Sequence, residues 1–297
     1  MSERKALLIL HGKQALNEEV RTAVEEKREQ GWELAVRLTW EAGDAQRLVQ
    51  EALAAGFTRL IAGGGDGTLR DIAEALAAQA DQASLVLLPL GTANDFARAA
   101  GVSLVPREAL ALLDVPAQPI DLGEVGGQVF LNMATGGFGS QVTANTSEDL
   151  KKMLGGAAYL FTGLSRFSEL HAAYGELQGP DFHWHGQLLA LGIGNGRQAG
   201  GGHELCPQAL VNDGLLDISI LPAPQDVVGT LKDLLVDGWG IDNMFVRARL
   251  PWVEIKVSEG LYINLDGEPL EGESLRFSVR PSALRVHLPA DSPLLKA

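Results

Sequence analysis

Two short stretches carry most of the chemistry available to this 297-residue sequence. "IAGGGDGTL", residues 61–69, ends an apolar run in Gly63, Gly64, Gly65, Asp66, Gly67 and Thr68. Glycine costs backbone entropy in helices and strands alike. Four glycines and a carboxylate together therefore point to a backbone that must approach something closely. "LPLGTANDFARAAG", residues 88–101, repeats the arrangement with Gly91-Thr92 after an apolar run, then Asn94 or Asp95 as a candidate helix cap. Where a strand ends and a helix begins, free N–H groups and the positive end of the helix dipole attract phosphate. Two such turns at the tips of neighbouring strands would converge on one crevice. A tight strand–helix turn is the alternative reading of either cluster taken alone.

Named phosphate-binding motifs do not fit. There is no G-x-x-x-x-G-K-[ST], since the one Gly-Lys pair, Gly12-Lys13, is followed by Gln14, and no G-x-G-x-x-G follows the first strand. Two further turns carry carboxylates. "NLDGEP", residues 264–269, sets Asp266 and Glu268 around an Asp-Gly hairpin signal, and "ALVNDGLLD", residues 209–217, contains the turn Asn212-Asp213-Gly214. His183 and His185 are spaced to share one face of a strand, a possible transition-metal pair with no evident third ligand. Cys206 reads most simply as a small packed residue.

The elements that must hold these groups change in texture along the chain. Up to about residue 125, strand and helix signals alternate: "KALLIL", a helix from the cap candidate Asn17 to Gly31, "WELAVRLT", a helix from Asp44 to Gly56, "FTRLIA", a helix from near Thr68, then "SLVLLPL". Fully apolar strands in β-α-β-α order predict a parallel sheet with helices on both faces, and ligands bind beyond the carboxyl ends of such strands. From 126 to 281, runs such as "HWHGQLLALGIGNG" and "SLRFSVRP", separated by Gly, Pro, Asn and Asp, predict a β-rich, mostly antiparallel domain. Helical stretches interrupt it near 148–171 and 225–237. Residues 154–170, "LGGAAYLFTGLSRFSEL", offer either a helix packed on the β domain or a membrane-contact segment.

Composition narrows the partners. With 38 acidic against 24 basic residues and net charge −14, the chain lacks the basic footprint of a nucleic-acid binder. The same excess opposes electrostatic anchoring to anionic lipid unless a local basic patch or bridging metal offsets it. A single cysteine excludes an intrachain disulfide and suits a reducing cytoplasm. The apolar run in "MSERKALLIL" is too short for a signal-peptide core, and no stretch approaches the ~20 apolar residues of a membrane span. Nothing in composition or motifs bears on oligomeric state.

"GGGDGT" with "LPLGTANDFAR" resembles the diacylglycerol kinase catalytic family, which includes sphingosine and ceramide kinases. "VRLTWEAGDA", "NMATGGFG", "GNGRQAGGG", "LCPQALVNDGLLD" and "NLDGEP" make the chain similar to the bacterial YegS-type lipid kinases over nearly its whole length. "GGDGT" alone occurs in NAD kinases too; the ordered set is far more specific. The resemblance implies an α/β ATP-binding domain over 1–125 and a sandwich-like lipid- and metal-binding domain over 126–281. The active site would lie between them, and residues 282–297 would return to the first domain.

The resemblance also implies roles for particular residues. Thr39, the segment Gly65, Asp66, Gly67, Thr68, Leu69, Arg70, Asp71, and Thr92 would contact ATP. Thr39 reads equally as the end of a strand, and Asp66 as either a contact to the metal–phosphate complex or a brace for the glycine turn. Glu268 would accept the proton from a lipid hydroxyl, with Asp266 supporting it or the metal. The Asp213 carboxylate and the backbone carbonyls of Leu210 and Leu215 would bind Mg²⁺, or Ca²⁺, in a site apart from the metal that travels with ATP. The sequence departs from the family pattern at Arg70-Asp71, where Asn-Glu is usual. The expected activity is an ATP-dependent kinase acting on a membrane lipid, phosphatidylglycerol rather than diacylglycerol, from the cytoplasm through transient contact with the membrane surface. An NAD kinase, or a nucleotide sensor that has lost catalysis at Arg70-Asp71, are the competing readings.

Overall fold

The computed structural model describes residues 4–79, 82–137, 173–223 and 241–296. Its first half alternates β1 (Lys5–His11), α1 (Glu18–Glu29), β2 (Glu33–Thr39), α2 (Asp44–Ala54), β3 (Arg59–Gly64), α3 (Asp66–Ala77), β4 (Ser84–Pro89), α4 (Asp95–Ala99) and α5 (Pro106–Ala111). β1 to β4 pair in parallel in the order β2-β1-β3-β4. Runs of consecutive buried residues in β1, β3 and β4 mean that both sheet faces are covered. Helices pack in two pairs, α1 with α5 and α2 with α3. Asn17 caps α1 by accepting the Val20 N–H at 3.3 Å, and Gly31 and Gly56 leave their helices at φ +89° and +75°.

The second half is antiparallel: β5 (Gln118–Val125), β6 (Gln128–Phe130), β7 (Met133–Gly137), β8 (Ala173–Gly179), β9 (Phe182–Gly194), β10 (Gln198–Ala199), β11 (His203–Glu204), β12 (Leu216–Pro222), β13 (Val246–Leu250), β14 (Trp252–Leu265) and β15 (Glu268–His287). β9 and β14 are long enough to pair with β8 along one half and β7 along the other. They enclose an apolar core built on Phe130, Ile193, Ile218, Val253, Ile255 and Phe277. β15 joins the two halves: its first residues pair with β14, its middle with β5, and Val286 and His287 pair in parallel with β4. The stretches near 148–171 and 225–237, including residues 154–170, lie outside the described residues. Among the described residues no helix is long and apolar enough to cross a membrane.

Two local expectations are corrected. α3 begins at Asp66, two residues before Thr68, because Gly65 takes an extended N-cap conformation (φ −89°, ψ −170°) and its carbonyl accepts the Leu69 N–H at 3.0 Å. The "DGT" segment is thus the first helical turn. Asn94 occupies the N-cap position of α4 at φ +52° but makes no side-chain cap. Its amide closes its own turn instead, accepting from Gly91 N–H at 2.9 Å and donating to the Gly91 carbonyl at 2.8 Å.

Cys206 is fully enclosed, and burial pushes its thiol up to about 12. Thiol reagents should therefore leave Cys206 unmodified in the native protein and label it on denaturation. Rapid native labelling would refute that packing.

Candidate active site

In a β2-β1-β3-β4 sheet the strand order reverses between β1 and β3, and the crevice beyond their carboxyl ends is where a ligand fits. A cleft of about 570 Å³ opens beside this point, lined by His11 and Gly12 at the end of β1, Thr39 and Trp40 at the end of β2, and Thr68 and Asp71 of α3. Crowding sets its floor. A Cβ on Gly12 would lie 2.5 Å from the Thr39 carbonyl oxygen, and one on Gly64 would lie 2.4 Å from Thr68 Oγ1. Gly67 differs: nothing lies within 4 Å of an added Cβ, so its bare backbone faces open space at the start of α3.

The two glycine turns do converge. A Cβ on Gly91 would fall 2.5 Å from Gly65 Cα, a backbone-to-backbone contact that only two glycines permit. Asp66 spans the same junction, its Oδ1 accepting the Phe96 N–H at 3.4 Å and so capping α4 from the neighbouring turn. Burial, then repulsion from Asp95, holds the Asp66 carboxyl above its usual range. Asp95 points the other way and accepts the N–H groups of Gly201 (3.0 Å) and Gly202 (2.7 Å). That link ties "TANDFAR" to "GNGRQAGGG".

The rim of the cleft is set by Asp44. Its Oδ2 accepts the N–H groups of Trp40 (2.7 Å) and Glu41 (3.0 Å), and its Oδ1 pairs with Arg47 at 2.6 Å. The Arg47 side chain, then the two N–H groups, hold its carboxyl down at about 2. A folded value below the unfolded one gives stability that is complete above about pH 4 and is lost as pH falls toward 2. Asp44→Asn should therefore flatten the acid limb of the thermal-stability profile. An unchanged limb would contradict this role.

Across the cleft mouth, Arg70 bridges two carboxylates. Its Nη2 meets Asp71 Oδ1 at 2.5 Å and its Nη1 meets Glu268 Oε1 at 3.1 Å. The Arg70 side chain is 14% exposed, whereas that of Glu268 remains 61% exposed. Asp266, at φ +47°, faces inward. Its two oxygens accept the N–H groups of Leu131 (2.7 Å), Asn132 (3.0 Å) and Met133 (2.7 Å). Burial raises its carboxyl, against which those three bonds and Arg70 act. Asp266 therefore braces the turn that presents Glu268.

Other candidates fall elsewhere. Leu69 is buried in the α/β core, so only its backbone is near the cleft. Thr92 is exposed beside Gly91 at the neighbouring strand tip. His183 and His185 share a face, with ring centroids 5.5 Å apart, and His183 pairs with Glu176 at 2.9 Å. Among the described residues no three His, Cys, Asp or Glu side chains gather to hold a metal ion.

At the Asp213 turn both carboxylate oxygens are already engaged. Oδ1 accepts the Leu215 N–H at 3.1 Å, and Oδ2 is paired with Arg249 Nη2. The donor set of Leu210, Asp213 and Leu215 does not fit a bound divalent ion while Arg249 holds that position.

Two groups went unread in the sequence. Asp121 accepts the N–H groups of Gly214 and Ser282, each at 2.8 Å, and Asn195 Nδ2 donates to the carbonyls of Asp121 (2.9 Å) and Leu131 (2.7 Å). Together they fasten the strand crossing behind the site. Their partners are too distant in sequence to be read from any local motif.

Comparison with known proteins bears on this arrangement. Residues 5–125 match the diacylglycerol kinase catalytic domain, and residues 133–288 match the YegS C-terminal NAD kinase beta sandwich-like domain. The chain belongs to the YegS-like lipid kinase family. A "Probable lipid kinase YegS-like" of Pseudomonas fluorescens Pf0-1 is 86% identical over 297 residues, covering 100% of this chain and 97% of the relative. A protein of the same description from Pseudomonas aeruginosa PAO1 is 72% identical over 296 residues, covering 100% and 98%. The family fold extends to a crystal structure of a diacylglycerol kinase from Bacillus anthracis str. Sterne, at TM-score 0.74 and 21% identity over 98% of each chain. Another structure from that organism reaches TM-score 0.78 at 23% identity, over 98% of this chain and 99% of the other.

Proposed function

We propose that this chain is an ATP-dependent lipid kinase that transfers the γ-phosphoryl group to a hydroxyl of a membrane lipid, with phosphatidylglycerol the preferred acceptor class. The observation that carries this reading is the Arg70 bridge. It sets the exposed carboxylate of Glu268 beside the helix turn whose backbone can hold a triphosphate.

The cleft beyond β1 and β2, beside the start of α3, takes the nucleotide, with the indole of Trp40, 93% exposed at its rim, as a face for the base. Bare N–H groups around Gly67 and the positive end of α3 receive the phosphates. A Mg²⁺ ion arriving with the triphosphate would be carried by the phosphate oxygens, since Arg70 already occupies Oδ1 of Asp71 at the cleft wall. That ion supplies charge neutralisation when bound. Glu268 takes the proton from the lipid hydroxyl as its oxygen bonds to the γ-phosphorus and the bond to the ADP oxygen breaks. Arg70 keeps Glu268 in position, and Asp266 fixes the turn from below. The lipid approaches from a membrane surface on the cytoplasmic side, and no nucleic acid takes part.

The test uses γ-labelled ATP with phosphatidylglycerol, diacylglycerol and NAD offered separately. Label should enter the organic phase most rapidly with phosphatidylglycerol. Label on NAD alone would replace the reading with an NAD kinase. ATP binding without transfer to any acceptor would replace it with a nucleotide sensor.

A further inference from the structure

The Asp213 turn carries its own cation. Arg249 on β13 points back across β12, with Nη2 on Asp213 Oδ2 and Nε on Asp217 Oδ2 at 3.2 Å. Both carboxylates are almost wholly enclosed, their side chains 5% and 8% exposed, whereas the Arg249 side chain is 36% exposed. Two enclosed acids four positions apart need a counter-charge, and an unpaired buried carboxylate is costly. The planar fork of arginine can serve both at once, as a lysine could not. The remaining Asp213 oxygen takes the Leu215 N–H, and Asp121 holds Gly214 from the opposite side. The turn is thus closed by protein donors alone. Arg197, which also bears on Asp217, is directed to the carbonyls of Ala209 and Pro293 at 2.9 Å and 2.6 Å.

A divalent ion joining this carboxylate would sit beside a fixed positive charge. Mg²⁺ would also have to give up tightly held water for a donor set with one carboxylate. We propose that Arg249 takes the place of the divalent ion at the Asp213 turn, so that the fold of this chain needs no metal there. The requirement for Mg²⁺ then comes from the nucleotide alone. The inference concerns folding and ion binding and holds whichever acceptor the enzyme phosphorylates.

Thermal unfolding of the full chain without nucleotide tests it, in EDTA and in millimolar Mg²⁺ or Ca²⁺. Wild type should melt at the same temperature in all three. Arg249→Met should melt several degrees lower in EDTA and regain much of the loss in Ca²⁺, because the freed carboxylates become available to an ion. Equilibrium dialysis with Ca²⁺ gives a readout that survives a poorly folding variant: wild type should bind no ion at this turn. One bound ion per wild-type chain, lost in Asp213→Asn, would overturn the proposal. So would an Arg249→Met protein that melts like wild type and ignores Ca²⁺.

Discussion

Glu268→Gln is expected to lower turnover by roughly 10²–10⁴-fold, the usual contribution of a positioned acid or base, while leaving ATP affinity nearly unchanged. Glutamine keeps the size of the side chain and an oxygen that can still accept from Arg70 Nη1, now 3.1 Å from Glu268 Oε1. What is lost is the carboxylate that, in the proposed mechanism, takes the proton. Because the side chain is mostly exposed, the melting temperature should stay close to that of wild type. Asp266→Asn should behave differently. Three backbone N–H groups converge on that carboxylate, and an amide can satisfy them only in part. Its activity loss should come with a lower melting temperature. If Asp266→Asn lost turnover at full stability while Glu268→Gln stayed active, the base would be Asp266.

Gly91→Ala should have a comparably large effect by an unrelated route. The new methyl group would lie 2.5 Å from Gly65 Cα and 2.9 Å from Asn94 Oδ1. The Gly65 backbone, with its N also only 3.3 Å away, leaves little room to yield. Overpacking of this kind costs about 1–3 kcal/mol. The larger consequence is that the two glycine turns must separate. A displacement of about 1 Å at a reacting centre can cost on the order of 10²-fold in rate, so kcat/KM for ATP should fall by about that factor. Gly67→Ala is the control, since its Cβ meets nothing in the protein. It should fold normally and lose activity only through its contact with nucleotide. Equal, near-normal kinetics in both variants would remove the turns from the nucleotide site.

These two cases mark what local sequence can and cannot convey. Strand and helix alternation, the Asn17 cap and the glycine exits of α1 and α2 are properties of adjacent residues, and the structure matches them. The meeting of Gly65 with Gly91 could be anticipated because consecutive parallel strands place their tips side by side. α3 starts at Asp66, two residues ahead of Thr68; a Gly-Asp-Gly-Thr run reads as loop, although Asp66 at a helix start is favoured by the dipole. The partners of Asp95, Asp266 and Arg70 were not legible. Asp95 reaches a glycine 106 residues away, and Arg70 meets Glu268 only because β15 turns back toward α3. Those contacts depend on how the two halves pack, which no spacing within either half reports. Arg249 on Asp213 is of the same kind: "NDG" announces a turn but not what neutralises it.

Intact-lipid mass spectrometry tests the central claim most directly. Purified wild type and Glu268→Gln would each be incubated with ATP, Mg²⁺ and a total polar-lipid extract. The wild-type sample should contain a lipid heavier by one phosphoryl group, formed in step with ADP, and the Glu268→Gln sample should lack it. Wild-type protein that consumes ATP while every lipid keeps its original mass would contradict the account.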